Sequence, residues 1–229
     1  MRDLINIIVF VWFPYLALAV FLFGCWLHAG RVQPAWAGGA GRLLNDRPLM
    51  VGATLALAGV LTLFAGHFIG LLTPIRFFEA IGISHGFKQQ MAIGIGGVAG
   101  VIGFSGVAVL SYRVLFDAQI RSIFSFGELA ILLMLFAQLT LGLDSILVSL
   151  KFIDGCAMVK FMSWAQGVMT LNPGAAAQVA GVPLIFKLHM VLGMSILMLF
   201  PFSRAVAIWR LPAWYLGQRG AALRPGAAG

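Results

Sequence analysis

The sequence predicts an all-α membrane protein, a bundle of five transmembrane helices with its N-terminus outside and its C-terminus in the cytoplasm. Three observations carry that expectation. Of 229 residues, 61% are hydrophobic and 10% are charged, whereas a soluble domain carries about a quarter charged residues. The apolar residues gather into five runs, each long enough for the roughly 20 residues that cross a hydrocarbon core. The positive charges are also shared unevenly between the two sets of connecting loops.

The expected spans are about 5–28, 49–72, 90–112, 127–150 and 184–209. Together they leave no room for a separate soluble domain, so residues 1–229 read as one membrane domain. The first run is too long for a signal peptide, Asp3 offsets Arg2, and no small-x-small site closes it. Pro48 opens the second span and Thr73-Pro74 closes it. The third is dense in glycine, at Gly94, Gly96, Gly97, Gly100, Gly103 and Gly106. That stripe suits close helix packing, or a flat macrocycle laid against it. In the connection 151–183, Met158, Phe161, Met162, Trp164 and Met169 alternate with Lys160 and Gln166. This pattern predicts a short helix lying in the membrane interface, ended by a turn at Asn172-Pro173-Gly174. The Gly/Ala/Arg-rich segment 217–229 is a C-terminal tail.

An odd number of spans puts the termini on opposite sides. With the N-terminus outside, nine basic residues (Arg31, Arg42, Arg47, Arg113, Arg121, Arg204, Arg210, Arg219 and Arg224) fall on the inner side and six on the outer. That bias favours N-out, C-in. A pI near 10.4 would otherwise suggest nucleic acid. The basic residues are scattered over short loops and form no single face, which excludes that partner. Cys25 and Cys156 fall on opposite faces, so no disulfide is expected.

Ionisable groups inside the hydrocarbon layer are costly, and each is a functional hypothesis. His67 lies about five residues from the outer end of the second span. His189 lies about five residues after the outer start of the fifth. These helices run in opposite directions, so the imidazoles share a depth. They can bind one haem iron axially, or form a hydrogen-bonded packing pair. His28 and His85 sit at helix ends. Asp144, in the fourth span and somewhat deeper than the histidines, is a candidate proton relay or a snorkelling aspartate. Lys88, at the outer entrance of the third span, reads as an interfacial anchor that could also hydrogen-bond a quinone carbonyl. No phosphate loop, dinucleotide fingerprint, CxxC or nucleophile elbow is present.

Longer runs then resemble one family. They are Phe13-Pro14-Tyr15, Gly66-His67-Phe68 leading into Gly70-Leu71-Leu72-Thr73-Pro74, and Phe87-Lys88-Gln89-Gln90-Met91-Ala92. Further on come Ser163-Trp164-Ala165-Gln166, Phe186-Lys187-Leu188-His189, Val191-Leu192-Gly193-Met194 and Phe200-Pro201-Phe202-Ser203-Arg204. In this order they resemble the gamma subunit of respiratory nitrate reductase, the membrane cytochrome b of a quinol-oxidising molybdoenzyme. The resemblance implies a periplasmic N-terminus, a bacterial inner membrane, and partners that are an iron–sulfur (beta) and a molybdenum catalytic (alpha) subunit. It implies haem b, with His67 and His189 matching the ligands of the outer haem. Lys88 matches the lysine of the family's quinol pocket, and Gly66 lies beside it. The family's inner haem is held by two further histidines, and those positions here are Leu57 and Ala207. One haem is therefore expected instead of two. Such a chain either passes electrons between quinol and its partners, in either direction, or has become a redox-inactive membrane anchor.

Overall fold

The computed structural model describes residues 2–29 and 46–202. Ala207, the tail 217–229 and the His28 side chain lie outside the described residues. Five helices are long and apolar enough to cross a membrane: Asp3–Leu27, Arg47–Leu72, His85–Phe116, Phe126–Phe152 and Leu184–Phe202. The expected five-span architecture is the one observed, with no strand among the described residues.

Capping explains the ends. The Asp46 carboxylate accepts from the Leu49 amide, and Pro48 occupies the first turn, where a missing N–H costs nothing. Ser84 caps the third span, which therefore begins at His85, five residues earlier than hydropathy suggests. Ser125 and Glu128 form a reciprocal capping box on the fourth. The first span holds a feature that its composition does not show. Residues Ile8–Trp12 form a π-helical segment between two α-helical ones. This wide turn loosens the carbonyl ladder, and the Phe10 oxygen accepts a 2.8 Å hydrogen bond from Trp164 Nε1.

The spans pack in sequence: second on third, third on fourth, fourth on fifth, fifth on first. Lipid is as apolar as leucine, so burial alone does not drive these contacts; close van der Waals approach does. The tightest seam joins the second and third spans. A Cβ on Gly59 would strike the backbone of Gly103, and one on Gly106 would strike the backbone of Ala56. Gly97 and Gly100 turn toward Ile146 and Leu143 of the fourth span. Gly97, Gly100, Gly103 and Gly106 therefore serve helix packing, whereas an added Cβ on Gly94 or Gly96 would meet nothing.

The connection 151–183 contains the expected helix, Cys156–Met169, here called the cross helix. Its setting differs from an amphipathic helix lying on lipid. Met162 is fully buried, and Ala157, Ala165 and Val168 are buried beside it. The apolar face packs on the ends of the second and third spans, because polar side chains along it tie those ends down. Gln166 donates to the Leu71 and Thr73 carbonyls at 3.2 and 2.9 Å. Tyr15 Oη reaches back from the first span to the Val168 carbonyl.

Candidate functional site

The second and fifth spans share no extended seam among the described residues. What meets across the gap is His67 and His189. Their ring centres are 6.1 Å apart, with the planes inclined at 37°. A metal–imidazole bond is about 2 Å long, so two rings on opposite sides of one ion stand roughly 6 Å apart, centre to centre. The two rings do not hydrogen-bond each other; each has a partner elsewhere.

Each imidazole has one ring nitrogen in a hydrogen bond. His67 Nδ1 lies 2.7 Å from the Leu63 carbonyl one turn back. A carbonyl only accepts, so Nδ1 carries the proton and Nε2 keeps its lone pair. His189 is half-buried, 3.3 Å from the amide nitrogen of Gln138 on the fourth span. Its Nδ1 and the Gln138 Oε1 are both buried without a partner. Among the described residues no third histidine, cysteine or carboxylate joins the pair. Two protein donors cannot complete a tetrahedral site. They suit an iron whose remaining positions are filled by a macrocycle.

Lys88 stands one turn nearer the cross-helix end. It is buried at 7% exposure, so the interfacial-anchor expectation is corrected. Its ammonium donates to the Gly70 carbonyl at 2.7 Å and to Met162 Sδ at 3.0 Å, and lies 3.6 Å from the centre of the Phe78 ring. The physical reason is the end of the second span, whose last carbonyls lack intrahelical partners and present a negative dipole end. Lys88 and Gln166 together satisfy those of Gly70, Leu71 and Thr73. Gly66 faces open space, where an added Cβ would meet nothing.

The sequence family described as nitrate reductase gamma subunit matches residues 6–225. The chain belongs to that family. It is 38% identical over 217 residues to the respiratory nitrate reductase 1 gamma chain of Escherichia coli, covering 95% of this chain and 96% of that one. It is 34% identical over 219 residues to the nitrate reductase 2 gamma chain of the same organism, covering 96% of each. The nitrate reductase gamma chain of Bacillus subtilis is 32% identical over 203 residues, or 89% of this chain and 91% of that one.

Within this gamma-subunit fold, Asp144 does not join the histidines. It is exposed, and makes no side-chain hydrogen bond or ion pair among the described residues. It is also not the deeper group. Gly142 is the residue beside the His189 ring, and Asp144 lies two residues beyond it toward the cross-helix end. Leu57 is half-buried, ten residues from His67. That spacing is about 15 Å of helix. His85 Nε2 lies 3.4 Å from Glu79 at the cross-helix end of the fold and takes no part in the cleft.

Gln138 is the site residue that sequence reasoning passed over. Its signal was an amide in the middle of an otherwise apolar run, four residues before a glycine.

Proposed function

We propose that this chain is the haem b membrane subunit of a nitrate-reductase-type complex, oxidising quinol near its outer face and supplying electrons to an iron–sulfur partner. The observation that carries the proposal is the His67–His189 pair: two imidazoles at ligating separation, with no third protein donor among the described residues. A haem between them would supply one-electron redox chemistry at membrane depth. His67 and His189 hold it, and the Leu63 carbonyl fixes the tautomer that leaves His67 Nε2 free.

Lys88 is the quinol-facing donor in this reading. A thioether is a weak acceptor, so a quinol or quinone oxygen displaces Met162 Sδ from the ammonium while Gly70 keeps its bond. Gly66, one turn below Gly70 and without a side chain, leaves space for a ring. The bundle sits in the bacterial cytoplasmic membrane, N-terminus outside, with the alpha and beta partners on the inner side. Only one haem is carried, because Leu57 and Ala207 stand at the inner ligand positions and neither can ligate iron.

The leucine at position 57 also favours a second reading, a redox-inactive anchor for the same partners. One measurement separates the two: haem per polypeptide, with a redox titration, on the purified complex. One b-type haem is the expected result. None would leave the anchor, and two would show a ligand set other than the one proposed.

A further inference from the structure

We propose that Phe78 is the positioning residue of Lys88, its ring face holding the ammonium in place for the quinone oxygen. This inference rests on the quinol reading above. The ring is fixed from two sides. Pro74 starts a short helix, Ile75–Ala80, that links the second span to the third. The turn after it passes through Gly82 at φ +74°, and the Ile83 amide donates back to the Phe78 carbonyl at 2.9 Å. Phe77 stands edge-on to Phe78, with ring centres 5.8 Å apart and planes at 81°. Backbone and neighbour together set the ring, and its face meets Lys88 Nζ 3.6 Å from the centre.

The partners of the ammonium show what the ring does. Lys88 is buried, and no carboxylate pairs with it among the described residues. Its charge therefore meets one strong acceptor, the Gly70 carbonyl, one weak acceptor, the Met162 thioether, and the Phe78 face. A cation over an aromatic face gains most where water is excluded. When a quinone oxygen replaces the sulfur, Gly70 alone would leave the ammonium free to swing about a single bond on a long, rotor-rich stem. The ring supplies the second fixed point. It does so without a lone pair, so it holds the cation and does not compete with the quinone for an N–H.

Equilibrium dialysis of duroquinone, a quinone without a tail, against the purified complex tests this. Phe78→Leu and Lys88→Met should each raise its Kd about tenfold. The double variant should bind no more weakly than Lys88→Met alone, because the ring acts only through the ammonium. Phe78→Tyr keeps a ring face and should stay within about twofold of the parent Kd. Trifluorophenylalanine at position 78 keeps the shape but weakens the negative face, and should match the loss in the Leu variant; it decides the case if the Leu variant does not assemble. A parent or tighter Kd in Phe78→Leu, beside a weakened Lys88→Met, overturns the inference and leaves the quinol reading standing. A loss of about a hundredfold in the double variant also overturns it, since Phe78 would then act apart from Lys88. Equal losses in Leu and Tyr, or a fluorinated variant at the parent Kd, do the same, because the ring face would not be what matters. Lys88→Met at the parent Kd fails earlier, at the quinol reading itself.

Discussion

The second span is treated in opposite ways on its two sides. Toward the third span it is closed: Gly59 on Gly103 and Ala56 on Gly106 bring two backbones into contact, and no side chain fits between. Toward the fifth span it is open, and the facing groups are two imidazoles. The same helix therefore shows what small residues and polar residues each do in a membrane. Glycine removes volume so that dispersion holds the helices together. Histidine instead sets a polar ring against its counterpart on the fifth span, 6.1 Å away between centres.

The largest effects should come from the open side. His67→Ala or His189→Ala is expected to abolish the b-type spectrum and quinol-linked turnover, beyond the roughly 10–100-fold that outer-shell partners of a metal cost. The bundle should remain inserted, because crossing the bilayer rests on the length and apolarity of the spans and on neither ring. A full haem complement in either variant would end the ligand assignment. On the closed side, Gly106→Leu should cost about 3 kcal/mol from overpacking, read as a lower unfolding temperature in detergent. Gly94→Leu is the control, since an added Cβ there meets nothing. Equal losses in the two would show that backbone approach is not what the seam requires.

Smaller effects sharpen the boundary between the two sides. Lys88→Met removes a charged hydrogen bond to Gly70 and should cost about 2 kcal/mol. Amide exchange should then quicken across Cys156–Met169 and stay unchanged in the Gly59–Gly103 seam; the reverse pattern would contradict the capping role. At the other end of the bundle, Arg113 pairs with Asp46 and Asp117. These groups are partly solvated, so Arg113→Ala should cost under about 1 kcal/mol in a melting experiment. The smallest effect concerns Cys156, whose exposed thiol is pushed up chiefly by its hydrogen bond with Asp154. A raised thiol holds less thiolate at a given pH, so Asp154→Asn should speed its alkylation near neutral pH. An impermeant maleimide should label Cys156 in intact cells, and labelling only after lysis would reverse the N-out orientation.

Hydropathy made the five spans readable because length and apolarity are the whole requirement for crossing a bilayer. Antiparallel geometry made the matched depth of His67 and His189 readable as well. The π-helical segment was not, since Ile8–Trp12 has the composition of any apolar helix and its reason lies with Trp164, far along the chain. Lys88 was placed at the correct entrance with the wrong environment: a lone lysine at a span end looks the same whether it meets water or caps a neighbouring helix. Asp144 was set too deep because span ends were counted without the neighbouring ring that fixes the level. Gln138 was missed because its meaning depends on His189, a partner on another helix.

The bond from Lys88 to Met162 also imposes an order on biogenesis. The two residues are 74 positions apart, so at 5–20 residues per second the ribosome takes about 4–15 s to deliver the second after the first. During that interval the hairpin of second and third spans can already be joined through Gly70, yet its ammonium has no sulfur to meet and no helix above it. The cleft beside His67 stays unroofed over the same seconds, with the fifth span still unmade. A prosthetic group that must enter sideways would find its doorway widest then, before the last helix arrives.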